Sequence, residues 1–257
     1  MAPIYADHPF QLCESIRFRN GKAGDADQFD RAASEMSVVH NLVIRGLNAI
    51  YLQAPHIQPS DEKSFCTFIT LWHVFIHHHH SEEEESFFPA VEKMAGEKGI
   101  MDVNVSQHHE FHDGLDSLAK YAADCVSGED EYDGARVTRI IDGFGAVLVQ
   151  HLAEELPCLR DLRRFGEEKM ADLDKLFEEQ GDKVKTWLSL PDMAVILSMH
   201  DTQYEDGLWA NWPPIPAPVK LLITHAVGPM ARSQALKFGP VDKSGKMRPL
   251  YAIPKNT

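Results

Sequence analysis

The sequence predicts an all-α fold, an antiparallel four-helix bundle with a C-terminal helical and irregular extension. Three observations carry this. Apolar residues recur at helical spacing in four long segments between residues 29 and 160. The connections between those segments are short or moderate, which suits antiparallel neighbours. Strand-type alternation is scarce, and no internal repeat occurs.

Residues 1–28 are polar and contain Asn20-Gly-Lys-Ala-Gly, so they read as an irregular N-terminal arm. The first bundle helix follows from Ala33, Met36, His40, Val43, Ile44, Leu47, Ile50 and Tyr51. Ala54-Pro55 ends it, because proline disfavours the helical region in the residue before it. The second helix opens near Pro59-Ser60-Asp61-Glu62, with Ser60 as the expected N-cap and acids in the first turn. It runs through Phe65, Ile69, Trp72 and a histidine run to about Met94, where Gly96 and Gly99 stop it; Pro89 is expected to kink it. The third helix spans about Val105 to Cys125, and Ser127 to Gly134 form an acidic loop. The fourth runs from about Arg136 to Leu156, with a kink or break at Pro157.

Three regions result: the arm at 1–28, the bundle at 29–160 and an extension at 161–257 expected to pack on the bundle. The extension holds a charged helical stretch over 160–180 and a short helix opened by Ser189-Leu-Pro-Asp. A stiff Pro-rich connector from Trp209 to Pro218 leads to a last helix from about Val219, interrupted near Gly228-Pro229. Trp209 and Trp212 are expected to serve packing.

Composition narrows the function. The 257 residues suffice to bury a core without disulfides. Cys13, Cys66, Cys125 and Cys158 are scattered and form no C-x-x-C, as expected for reduced thiols of an intracellular protein. The formal net charge is −14, and the densest basic cluster, Arg160, Arg163 and Arg164, is interleaved with Asp161 and Glu167. Such a surface repels phosphate backbones, so no nucleic-acid partner is expected. The N-terminus has no basic region followed by an apolar run, and no stretch approaches 18 uncharged apolar residues. Neither a signal peptide nor a membrane span is expected, and a cytoplasmic location follows.

The 14 histidines carry the chemistry. His80 and Glu84, His108 and His112, and His151 and Glu155 are each four apart, one pair on each of three helices. Residues four apart project from one helix face. His40 stands alone on the stripe of the first helix. His112 shares a face with Phe111, Leu115, Leu118 and Ala119, and His151 and Glu155 share one with Phe144, Leu148, Leu152 and Cys158. Glu84 precedes Phe87, Phe88 and Val91. Imidazoles and carboxylates at core positions must be paired, hydrogen-bonded or bound to metal. Five imidazoles and two carboxylates exceed one tetrahedral zinc site and suit two metals of borderline hardness. No Glu-x-x-His or His-Glu-x-x-His occurs, against ferritin-type and zinc-protease sites.

Periodicity leaves the register of the second helix open. His77-His-His-His80 precedes Glu82 to Glu85, so His78/Glu82 and His79/Glu83 satisfy the same spacing. Trp72, Ile76, His79, Glu83 and Phe87 form a stripe of their own. His73 and His77, with His79 and Glu83, are the candidates for groups that orient the ligands from behind. His109 and the acids at 82, 83 and 85 read as solvated unless the rival His79/Glu83 register holds, and His8, His56, His200 and His225 lie outside the pattern; His200-Asp201 is placed to fold over the bundle mouth.

The order His40; His80-Ser-Glu-Glu-Glu84; His108-His-Glu-Phe-His112; His151-Leu-Ala-Glu-Glu155 resembles the haemerythrin-like, HHE cation-binding family over residues 29–160. Phe88-Pro89 after the second-helix carboxylate matches as well and favours His80/Glu84. The closing segment, from Met199-His-Asp through Trp212-Pro-Pro to Lys237-Phe-Gly-Pro, looks like longer fungal members of that family. The resemblance implies two iron ions cycling between Fe2+ and Fe3+ with an oxo or hydroxo bridge. Three imidazoles would hold one iron and two the other, with Glu84 and Glu155 bridging. It implies dioxygen, peroxide or nitric oxide as the small ligand. A carrier or sensor, a di-iron oxidoreductase acting on a small organic substrate under the extension, and an iron-sensing or metal-buffering protein all remain open, as does oligomeric state.

Overall fold

A computed structural model describes residues 3–21 and 26–254. Residues 22–24 of the expected Gly-containing arm lie outside the described residues. Within that arm a short helix, α1 (Ile16–Arg19), is capped by the Ser15 hydroxyl, which accepts from the Phe18 amide. Four long segments follow: α2 (Gln28–Gln53), α3 (Glu62–Glu82) continuing through a π-helical turn at Glu83–Phe87 into α4 (Phe88–Ala95), α5 (Asp102–Ser127) and α6 (Gly134–Asp161). α2 packs on α6, α6 on α5, α5 on α3 and α3 on α2, closing an antiparallel bundle.

Local chemistry explains the ends. The Asp27 carboxylate accepts from the Asp30 amide and caps α2. Ser60 does not cap α3: Asp61 stands at the N-cap and makes no side-chain capping bond. Gly96 and Gly128 close α4 and α5 in the left-handed conformation, at φ 65° and 86°. Pro157 does not break α6, which runs on to Asp161. Pro157 and Ala153, whose carbonyl loses its helical partner, are both exposed, which leaves that carbonyl open to solvent. Pro89 acts one turn earlier than a simple kink. The helix widens to π geometry over Glu83–Phe87, which makes room for the proline ring against the preceding carbonyls. The same device recurs before Gly228-Pro229, where π turns span Ile223–Val227.

The rest of the chain is α7 (Leu173–Trp187), α8 (Leu190–Leu197), a single turn α9 (Tyr204–Gly207), α10 (Ala217–Leu222) and, beyond the second π segment, α11 (Gly228–Leu236). Ser189 caps α8 by accepting from the Asp192 amide. α7 lies on α2, while α8 and α11 pack together on α3. Phe238 enters the core against Phe65, with ring centres 5.0 Å apart. Gly46 lets Trp72 and Met199 close over α2, and the Trp72 indole donates to the Val43 carbonyl at 3.0 Å. Among the described residues the fold is all-α, with one isolated bridge, Val241 to Met247. Among the described residues no helix is long and apolar enough to cross a membrane.

Candidate metal centre

The bundle interior halfway along α2 holds a polar cluster inside an apolar shell. His40 from α2, His80 from α3, His108 from α5, and His151 and Glu155 from α6 are all buried, and Glu83 at the start of the π turn is 3% exposed. His79 reaches the same space, its side chain 13% exposed. Two triads form. Donor atoms of His80, His108 and His151 lie within 4.8 Å of one another, and so do those of His40, His79 and Glu83.

Each inner carboxylate touches both triads. Glu83 Oε1 lies 3.2 Å from His79 Nε2 and its Oε2 3.6 Å from His108 Nε2. Glu155 Oε2 lies 3.2 Å from His40 Nε2 and 4.0 Å from His151 Nε2. These approaches lack hydrogen-bond geometry. His40, His79 and His80 Nε2 and all four oxygens of Glu83 and Glu155 are buried without a hydrogen-bond partner among the described residues. Buried carboxylate oxygens left so are costly unless a cation meets them.

The backs of the rings are held. His40 Nδ1 donates to the Leu152 carbonyl at 2.7 Å, His108 Nδ1 to Glu84 Oε1 at 2.7 Å and His151 Nδ1 to Gln107 Oε1 at 3.0 Å. The Gln107 amide has one orientation, because its Nε2 donates to Glu154 at 2.6 Å. With Nδ1 carrying the proton in the neutral His108 and His151 rings, their Nε2 atoms present lone pairs to the interior, whereas a metal at His40 would have to displace the proton from its Nε2. His108 and His151 Nε2 are only 3.0 Å apart. Two facing lone pairs at that spacing repel unless they share a proton or a metal ion.

Protonation follows the same logic. Burial lowers the pKa of His79 to about 3 and of His151 to about 2, and it lowers His80 and His108 as well, so these imidazoles are neutral donors. Burial also disfavours charge on His40, but Cys13 and the Glu155 carboxylate outweigh it and raise its pKa to about 10. Burial, then the neighbouring Glu155 charge, pushes the Glu83 carboxyl well up. Burial works against ionised Glu155, yet His40 holds its pKa below the usual range. A bound cation would supply the positive charge that Glu83 lacks.

Two expected ligands stand elsewhere. His112 is exposed and pairs with Asp116 at 3.3 Å, on the outer flank beside His73 and His77. The buried stripe of α5 is Asn104, His108, Phe111, Leu115 and Leu118, so Phe111 takes the interior place that spacing assigned to His112. Glu84 is at the rim, its side chain 35% exposed, and backs His108. Of the preferred His80/Glu84 pair, one residue lies inside and one at the rim. His80 faces inward, but the inward carboxylate is Glu83. His79 and His80 both enter, His79 towards His40 and His80 towards His108, with ring centres 5.5 Å and 4.3 Å apart. Gln107 and the buried Asn104 carry no sequence signal beyond Asn104's place on the α5 stripe. His200 is buried in the extension, donating Nε2–H to the Trp209 carbonyl at 3.0 Å.

A family model described as the Hemerythrin HHE cation binding domain matches residues 31–155. A protein named "Dimeric xanthone biosynthesis cluster protein R11", from Cryptosporiopsis sp. (strain 8999), is 30% identical over 223 residues, covering 86% of this chain and 83% of that one. The chain belongs to the haemerythrin HHE family. No solved structure matches. In this haemerythrin-family chain the match ends at Glu155, the last inward acid, and the likeness to the fungal relative extends into the C-terminal extension. As a cation-binding domain it has the donors such a role needs: neutral imidazoles and unpartnered carboxylates on four converging helices.

Proposed function

We propose that this chain is a non-haem di-iron protein that binds and reacts with dioxygen, peroxide or nitric oxide. The observation that carries the reading is the pair of Nε2 lone pairs of His108 and His151, 3.0 Å apart and both fixed from behind. His80, His108 and His151 would hold one iron and His40 and His79 the other, with Glu83 and Glu155 between them. Two iron ions so held would supply one-electron redox chemistry and a Lewis-acidic place for a small ligand. The histidine-rich set carries few anions and so favours the reduced state over an all-carboxylate site. Phe111 closes one side, its ring 5.2 Å from His80 and 5.5 Å from His151. Phe88 stacks near His108 at 6.0 Å, and both phenylalanines are buried, so bulk water is kept from the donors.

The test is iron-to-protein stoichiometry with optical spectra taken anaerobically and after oxygen or nitric oxide. About two irons per chain and an oxygen-dependent spectrum support the reading. A single tightly held zinc with no iron overturns it.

A second reading, oxidation of a small organic substrate, draws support from the fungal relative's name, which places that protein in a biosynthesis cluster. Turnover of an aromatic substrate by the iron-loaded protein, with stoichiometric oxygen consumption, would favour it over oxygen binding alone.

A further inference from the structure

The histidines that the centre leaves out are not scattered. His73 and His77 lie one turn apart on the outer face of α3, and His112 and Asp116 lie one turn apart on the facing flank of α5. Asp116 ties them together, with Oδ1 3.0 Å from His73 Nε2 and Oδ2 3.3 Å from His112 Nδ1. The His77 ring centre is 5.8 Å from that of His73 and 6.0 Å from that of His112. An imidazole binds zinc at about 2.0–2.1 Å, which puts its ring centre roughly 3 Å from the ion. Two rings sharing one ion therefore have centres on the order of 5–6 Å apart.

We propose that His73, His77, His112 and Asp116 form a second, peripheral metal site that takes a divalent first-row cation, zinc above all, and clips α3 to α5. The donor set is three imidazoles and one carboxylate. It is too rich in nitrogen for magnesium or calcium, and it has the four ligands of a closed tetrahedral zinc site. Two i,i+4 pairs on neighbouring antiparallel helices reach a common point by small side-chain rotations. Entry is open, because His77, His112 and Asp116 are all exposed. His73 is half-buried, and burial holds its pKa below the ordinary histidine range, so it offers a neutral donor near pH 7. The net charge of the whole chain, −14, favours cation approach. The site stands apart from the buried triads and does not depend on their occupancy.

The experiment adds Zn2+ to the protein with whatever metal it carries on purification, removes the excess by gel filtration, and measures zinc and iron per chain. Wild type is expected to retain one added zinc, with its iron unchanged and its melting temperature raised. His77→Ala and Asp116→Ala change exposed side chains, so both variants should fold. Each is expected to bind zinc at least tenfold more weakly and to lose the thermal shift. Failure of wild type to retain zinc overturns the proposal. So does zinc uptake matched by loss of iron, which would put the zinc in the buried centre, and so does equal zinc binding by wild type and both variants.

Discussion

His108 gives its Nδ1 proton to Glu84 across 2.7 Å, while its Nε2 lies 3.6 Å from Glu83. Adjacent acids thus serve opposite ends of one imidazole: Glu83 shares its interior and Glu84 holds it from the rim. Glu83→Ala is expected to lose metal and the spectrum of a bridged centre. Glu84→Ala should keep the metal with affinity reduced about 10- to 100-fold, the usual effect of removing an outer partner. Iron content of the two variants, measured side by side after dialysis against a chelator, decides this. A metal-free Glu84→Ala beside a fully loaded Glu83→Ala would reverse the assignment.

His79→Ala and His112→Ala separate inner from outer histidines in the same way. His79 faces the unpartnered His40 Nε2 inside, whereas His112 is on the flank. Loss of iron is expected in His79→Ala only. Metal analysis of both variants checks it, and iron loss in His112→Ala would return that residue to the centre.

Gly46 predicts a packing effect far larger than its size. A Cβ there would fall 2.3 Å from Trp72 Cδ1 and 2.5 Å from Met199 Sδ, and the indole cannot yield without breaking its bond to Val43. Gly46→Ala should cost on the order of 1–3 kcal/mol, the range for overpacked cores. A melting temperature lowered by several degrees is the readout; an unchanged one would show that Met199 and the extension shift freely.

His200 sets an acid limit on the extension. Burial, reinforced by Lys220 and Arg45, lowers its pKa to about 4 against 6.5, although the bond to Trp209 works the other way. The folded chain therefore binds fewer protons at this site than the unfolded one. Its contribution is complete above about pH 6.5 and is lost as pH falls towards 4. The difference amounts to roughly 3 kcal/mol at most, by linkage. His200→Gln keeps a donor for the Trp209 carbonyl without a titrating group. Its stability should fall less than that of wild type between pH 7 and 4, as measured by urea unfolding. Parallel curves would count against the role.

The bundle was legible because its helices obey one period and its turns carry Pro, Gly and acids. His40, His108, His151 and Glu155 could be placed from the sequence, since each sits on a stripe whose other members are large and apolar. The second helix was harder, because periodicity assumes that a helix has one inward direction. At the level of His79 and His80 the helix is flanked by α2 on one side and α5 on another, so neighbours about 100° apart both face inward. The π turn at Glu83–Phe87 then shifts the register of the acids, and Pro89 alone hinted at it. On α5 the stripe steps from His108 by three to Phe111, and a strict step of four pointed to His112 instead.

The arm and the extension meet over α2. Asn41, next to His40, clasps both the amide and the carbonyl of Cys13 at 2.8 Å. The Ser15 amide and hydroxyl donate to Glu205 at 2.6 Å and 2.5 Å, and the fully buried Arg45 donates to Asp7 at 3.1 Å. The span that defines the family, 31–155, contains neither Cys13 and Asp7 nor Glu205. A fragment trimmed to those limits would strip the partners from Asn41 and Arg45 on the helix that carries His40. The family signature and the mechanics draw different borders in this molecule: the matched span stops at residue 155, while the groups that brace the helix carrying His40 are drawn from both flanks of that span, Asp7 and Cys13 before it and Glu205 after it.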